Sequence, residues 1–191
     1  MKHLAVTGLI LSFVMISCDT NSVLPEEEPE FKEQTAQIYG QGFEGDIING
    51  AEANIFRTQN NGFFVDLAMP APAPGSYQYP EGAEEGNPEV FTLWVFVFND
   101  PEAEEFDAAY LGSAHVAEDI SQAIKLNGHI TSDTEPFTGE GQLTDPMEAK
   151  VRLTVAPHGE LDADKLPGQL TTPSGGPDYW WITEFNPQDS L

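Results

Sequence analysis

The chain has 191 residues, 40% of them apolar, and 32 acidic residues against seven basic ones give a formal net charge of −25. That length and apolar content suit one domain with a sizeable core, or at most two small ones. So acidic a surface repels nucleic acid and anionic lipid head groups and excludes both as partners. The acids are spread along the whole chain, which fits a saline habitat or simple solubility better than cation binding.

Lys2 and His3 precede an apolar run, Leu4 to Ile16. The run is too short to span a bilayer, which takes about 20 helical residues, and reads as a secretory signal over residues 1–17. Its end, Met15-Ile16-Ser17-Cys18, resembles a bacterial lipobox: two apolar residues, a small one, then cysteine. The resemblance implies cleavage before Cys18 and acylation of its thiol and new amine. It places the protein in the bacterial cell envelope, on the periplasmic face or the cell surface, with the membrane as partner through lipid on Cys18. Each buried methylene contributes ~0.8 kcal/mol, and stable anchoring takes about two chains. Cys18 is the single cysteine, so no disulfide can form within the chain. Residues 18–34 then form the acylated cysteine and a polar, acidic tether, and the folded domain spans 35–191. The run Glu26-Glu27-Glu28-Pro29-Glu30 resembles the acidic stretch behind the acylated cysteine of some surface-exported lipoproteins.

Ala53–Arg57 and Phe63–Met69 are β-prone runs joined around Asn60-Asn61-Gly62, a hairpin signal. Pro70–Pro88 is rich in proline and glycine and reads as a long loop. Val90–Phe98 places Phe91, Leu93, Val95 and Val97 on one face and Trp94, Phe96 and Phe98 on the other, which predicts a central strand covered on both sides. Asn99-Asp100-Pro101-Glu102 fits the start of a short helix, with Phe106 and Tyr110 as its inner face and Gly112 as its end. Ala114–Ala117 fits a further strand, although Val116, Ile120 and Ile124 also fit helical spacing; the alternation that follows favours strands. Ile124, Leu126, Gly128 and Ile130 alternate with Lys125, Asn127 and His129, as a strand requires. Thr131–Pro146 is turn-rich. Ala149–Val155 and Tyr179–Phe185 are the last strands. Short β runs between Gly/Pro-rich loops predict an all-β fold: a single β-sandwich, Ig-like or jelly-roll-like, with long loops and at most one short helix.

Leu93–Glu102, Gly112-Ser113-Ala114-His115-Val116, Gly141–Pro146, and Val151–Val155 with His158-Gly159 resemble segments of a group of secreted bacterial proteins of unknown function. The resemblance covers roughly residues 90–185 and implies secretion and a β-rich fold. It brings no activity. Members carry cysteines soon after the Asn-x-Pro-Glu segment, where this chain has Ala103-Glu104-Glu105-Phe106.

His115 and His158 fall in those segments, and His129 lies on a neighbouring strand. Imidazoles with a carboxylate can hold Zn²⁺ or Cu²⁺, although the spacings match no ligand signature. Asp162 and Asp164, with Glu160, have an alternate spacing suited to Ca²⁺ but lack the EF-hand glycine. Each of these groups also suits a hydrogen-bonded histidine or a solvated loop. Ser113, two residues before His115, lacks the Gly-x-Ser-x-Gly context of a hydrolase. Tyr179, Trp180 and Trp181 could line a sugar site, but core packing is the commoner use of such residues. The leading expectation is a lipid-anchored, non-enzymatic binding or display domain with no cofactor, its ligand a protein, a glycan or an ion. The alternative is a periplasmic protein binding Ca²⁺, Zn²⁺ or Cu²⁺ through His115, His158, Asp162 and Asp164, with a hydrolase behind it.

Overall fold

The computed structural model describes residues 31–42, 44–116, 123–133 and 142–187. The lipobox, Cys18 and the acidic run lie outside them. Eight strands run through the described chain: β1 (Phe31–Gln41), β2 (Ile47–Thr58), β3 (Gly62–Pro70), β4 (Glu89–Phe98), β5 (Asp107–Val116), β6 (Ala123–Ile130), β7 (Lys150–Glu160) and β8 (Trp181–Phe185). One short helix, α1 (Leu166–Thr171), and a single 3₁₀ turn, Pro177–Tyr179, precede β8. All eight strands belong to one antiparallel sheet in the order β5-β4-β7-β8-β1-β2-β3-β6.

The β-rich expectation therefore holds, with at most one short helix among the described residues; the finer expectation of a sandwich is not confirmed, since all eight strands are hydrogen-bonded into one sheet. The sheet curls until it is nearly a barrel, and its two end strands meet. Leu111 of β5 lies against Gly128 of β6, where a Cβ would come within 2.9 Å of the leucine methyl carbons. Strand periodicity cannot distinguish the two architectures, because both have one buried face per strand and the same alternation of two.

The β2–β3 hairpin forms where Asn-Gly places it, with Phe56 opposite Phe64 and Thr58 opposite Gly62. Gly62 has φ +81°, and a Cβ there would run into the Ile130 carbonyl, so glycine is required. All ten residues of β4 are buried. Phe91, Leu93, Val95 and Val97 enter the interior with Ile55, Leu67, Leu153 and Trp181. Trp94, Phe96 and Phe98 form a second cluster on the outer face with Ala156, Trp180 and Ile182. There Trp180 stacks on Phe96 at 5.5 Å, and Phe106 meets the same ring edge-on at 4.9 Å. Rings of this size each remove about 150–250 Å² from water, so this outer cluster stabilises the fold much as a second small core would. Trp180 and Trp181 point to opposite faces and are both buried, as core packing requires.

Two local expectations are corrected. The short helix after Asn99 does not form. The Asp100 carboxylate accepts the Glu102 amide and the Asp100 carbonyl accepts the Ala103 amide, which closes a turn, and Asp107 then opens β5 against Val97. Phe106, just before β5, and Tyr110 within it both pack on the outer-face rings of β4, Phe106 on Phe96 and Phe98 and Tyr110 on Trp94. Residues 31–34, expected to end the tether, belong to β1; residues 18–30 lie outside the described residues.

The ends of the curled sheet are closed by polar groups. Arg57, near the end of β2, is wholly buried. It donates to Gln34 Oε1 at 2.9 Å, to the carbonyls of Pro146 and Ala149 at 2.8 and 2.7 Å, and to the Phe185 carbonyl at 3.3 Å. Glu89, the first residue of β4, is buried at the other end. Tyr77 comes from the 70–88 loop and packs on Phe91 and Trp181 at 5.7 and 5.1 Å. Its hydroxyl donates to Glu89 Oε2 at 2.5 Å, and the hydroxyl of Tyr79 donates to Oε1. The stretch expected to be only a loop is thus a plug that carries two tyrosines onto a buried carboxylate.

Candidate functional site

A cavity of about 300 Å³ opens on the outer side of the sheet, where three segments meet. The first is the end of β7. Phe91 pairs with Pro157 and Glu89 with Glu160, so β7 carries one extra residue there and bulges. Gly159, at φ +71°, sits in the bulge so close to the Glu84 backbone that a side chain would not fit. The second segment is the tip of the 70–88 loop, fixed to the bulge by the Glu160 amide donating to the Glu84 carbonyl at 2.9 Å and by Leu161 donating to Pro88 at 2.8 Å. The third is α1. Asp162 starts its turn, accepting the Leu166 amide on its carbonyl at 2.8 Å and the Asp164 amide on its carboxylate at 2.9 Å.

His158 forms part of the wall and is 9% exposed. Its Nε2 lies 2.7 Å from Thr92 Oγ1, which also accepts the indole N–H of Trp94 at 2.9 Å. An indole nitrogen can only donate. The threonine oxygen, with two lone pairs and one proton, joins the imidazole to the indole and holds the ring in place. Burial pushes the imidazole pKa down to about 4, so the ring is neutral at physiological pH. Thr92 is completely buried and cannot meet a substrate, so this pair positions the histidine and is no nucleophile–base couple.

Gln169 of α1 lies beside it and is 8% exposed. Its Nε2 donates to the Glu160 carbonyl at 2.8 Å and faces the His158 carbonyl at 3.4 Å. That fixes the orientation of the amide and leaves Oε1, a buried acceptor, without a partner. Native structures contain few such atoms, and each calls for an explanation. The rim is acidic: Glu81, Glu84, Glu160 and Asp162 line it, against Lys165 alone. Lys165 lies 3.3 Å from Asp162 Oδ2, and the Asp164 amide together with this lysine holds the Asp162 carboxyl below the usual range.

The sequence-derived residues divide accordingly. His158 and Asp162 share the cavity, whereas His115 and Asp164 do not line it. His115 is exposed on β5 opposite Val90, with β4 between it and β7, so roughly 9.5 Å separates the two strand backbones. His129 is exposed on β6 and hydrogen-bonds the Asn61 carbonyl at 2.8 Å. Ser113 lies opposite Thr92 in the β4–β5 ladder. Among the described residues, no three His, Cys, Asp or Glu side chains converge to hold a metal ion. Sequence reasoning missed Gln169, Glu84 and Thr92. Only Thr92 carried a signal, as the one hydroxyl within the apolar run of β4.

Fold and cavity together define an all-β, single-sheet domain with a polar pocket built on one face. No family model, curated protein or solved structure matches the chain significantly.

Proposed function

We propose that this protein is an exported, lipid-anchored binding domain without catalytic activity, held at the cell envelope through Cys18, which takes a small polar ligand in the cavity beside His158. The observation that carries the binding reading is the polar cavity itself, where the β7 bulge, the 70–88 loop and α1 meet beside a buried, neutral His158. Ligand sites typically run from about 300 to 1,000 Å³, and this cavity is at the small end. The anchor rests on the lipobox-like Met15–Cys18 alone.

Two measurements test the two halves. Metabolic labelling with palmitate should mark the wild-type chain and not Cys18→Ala; unlabelled wild type released to the medium would sink the anchor. Titration of the purified chain with a panel of small polar compounds of both charges, followed by NMR, should shift the His158 ring and Gln169 amide resonances. If no compound moves them, the cavity is not a binding site.

A further inference from the structure

We propose a second binding surface, on the outer face of β1, β2, β3 and β6, that takes a neutral glycan chain. The strand registers build it as two adjacent rows. In the first, Phe56 of β2 stands opposite Phe64 of β3, and Phe64 opposite His129 of β6. Phe31 of β1 extends this row, its ring stacked on Phe56 at 6.3 Å with 27° between the planes, and Phe56 meets Phe64 at 6.1 Å. Phe31 is 57% exposed and Phe64 41%. In the second row Thr35, Asn54, Asp66 and Asn127 face one another across the same four strands. The Thr35 hydroxyl donates to Asn54 Oδ1 at 2.6 Å and holds that amide in place.

Single exposed hydrophobic residues are ordinary, but three rings in contact on three neighbouring strands form a continuous apolar patch, which marks an interaction surface. The chemistry of the two rows selects the partner. The face of an aromatic ring carries negative charge density and attracts the slightly positive C–H bonds on the flat side of a sugar ring. The hydroxyls at the edge of that sugar seek hydroxyl, amide and carboxylate groups, which are those of the second row. Neighbouring positions on one face of a strand are about 7 Å apart, so a sugar resting on the rings brings its hydroxyls to the polar row.

Charge decides among the other compounds that cover aromatic rings. Glu33 stands opposite Phe56, and Asp66 lies in the second row, on a chain whose net charge is −25. Nucleic-acid bases, uronic-acid chains, anionic lipid surfaces and a second copy of this chain are therefore repelled, whereas a neutral glycan is not. Trp180 and Trp181, which suggested a sugar site in the sequence, are buried in the two cores, so the exposed rings lie elsewhere. None of the residues in the two rows lines the cavity beside His158, so this surface and that cavity stand or fall separately.

The test titrates the purified full chain by calorimetry with cellohexaose, laminarihexaose, mannohexaose and xylohexaose, and with hexagalacturonate as the anionic control. The phenylalanine rings and the Asn54 and Asn127 side-chain amides are followed by NMR. At least one neutral hexasaccharide should bind, shift these resonances and leave His158 unmoved, with an affinity that does not change with NaCl, and hexagalacturonate should not bind. Phe31→Ala and Phe64→Ala should each lower the affinity about two- to tenfold, and Phe64→Leu, which keeps apolar bulk but loses the ring, should do the same. Unchanged melting temperatures would confirm that the variants are folded. Failure of every neutral hexasaccharide to bind would overturn the proposal, as would unchanged affinity in all three variants. Capture by phosphatidylcholine vesicles that is lost in Phe31→Ala and Phe64→Ala would overturn it in favour of a membrane surface. A concentration-dependent dimer lost in the same variants would overturn it in favour of a second copy of the chain.

Discussion

Arg57 and Glu89 are the two wholly buried ionisable side chains among the described residues, and they lie at opposite ends of the curled sheet. β2 and β4 run in the same direction, separated by three strands; Arg57 is near the end of one and Glu89 begins the other. They do not neutralise each other. Arg57 is satisfied by Gln34 and three carbonyls, and Glu89 by two tyrosine hydroxyls and the Gly86 amide. A chain with no disulfide in this domain thus closes both ends of its sheet with charged groups held by neutral dipoles.

Arg57 is the first place to test that closure. Burial pulls its guanidinium pKa down to about 10, with Glu148 pulling the other way, and the group stays charged at neutral pH. Arg57→Met should strand the carbonyls of Pro146, Ala149 and Phe185 and cost about 3–5 kcal/mol. Arg57→Lys should recover less than half of that, since an ammonium cannot reproduce the planar fork. In urea, the methionine variant should unfold ~1–2 M earlier. A shift below ~0.3 M would show that the end closure is not structural.

Tyr77 and Tyr79 should resist ionisation. Burial first, then Glu89, raises the Tyr77 pKa far above the ordinary tyrosine value, and the same causes push Tyr79 up to about 12. Both hydroxyls are favoured protonated in the folded state. Their contribution to stability is therefore complete below the unfolded pKa near 10 and is lost as pH rises from there through about 12. Absorbance at 295 nm, compared between the wild type and the Tyr77→Phe and Tyr79→Phe variants, should show that Tyr77 and Tyr79 remain neutral at pH 11 while the fold persists. Tyr77→Phe keeps the ring contacts and should cost about 1.5–3 kcal/mol from the lost charge-assisted bond. Midpoints near 10 for Tyr77 and Tyr79 would show that the plug is not seated on Glu89.

What could be read from the sequence follows from which residues face the interior. β4 was legible because both of its faces are apolar, β6 because it alternates cleanly, and the hairpin because Asn-Gly permits only a few turns. β1 was not, because its buried positions are Gln34, Ile38 and Gly40, and only one of these is a large apolar side chain. Gln34 is buried to serve Arg57, a partner 23 positions away that no local pattern reveals. α1 was hidden by Pro167 and Gly168, which weaken any helical signal. The cavity was out of reach for a related reason. His158 was singled out, but its value depends on Thr92, Gln169 and Glu84, which only the folded sheet brings together.

His158 makes that site pH-sensitive. Its folded pKa of about 4 lies below the ordinary value of 6.5 because burial disfavours the imidazolium. The stability it contributes is present above pH 6.5 and is lost as pH falls from 6.5 through 4, an effect of order 3 kcal/mol. A ¹³C-histidine NMR titration should keep the His158 signal neutral at pH 5.5. His158→Gln should flatten the stability profile between pH 6.5 and 4. A His158 midpoint above pH 6 would place the ring in water and remove it from the cavity wall.

The meeting of β5 and β6 offers the sharpest test of the single curled sheet. No ladder joins these strands, and Leu111 lies over the bare backbone of Gly128. Gly128→Ala puts a methyl carbon 2.9 Å from both leucine methyl groups, so the strands must separate or the leucine must leave, at a cost of about 1–3 kcal/mol. Leu111→Ala alone should cost ~1–2 kcal/mol, since the leucine is only partly buried. Because the second change removes the atoms with which the first collides, the double variant should be more stable than the sum of the two by at least ~1 kcal/mol. Two widely separated end strands predict instead that the two changes add independently. Urea denaturation of the four proteins in the cycle distinguishes these outcomes: additive costs would mean an open sheet, and a coupling of the stated sign would mean that β5 and β6 close it.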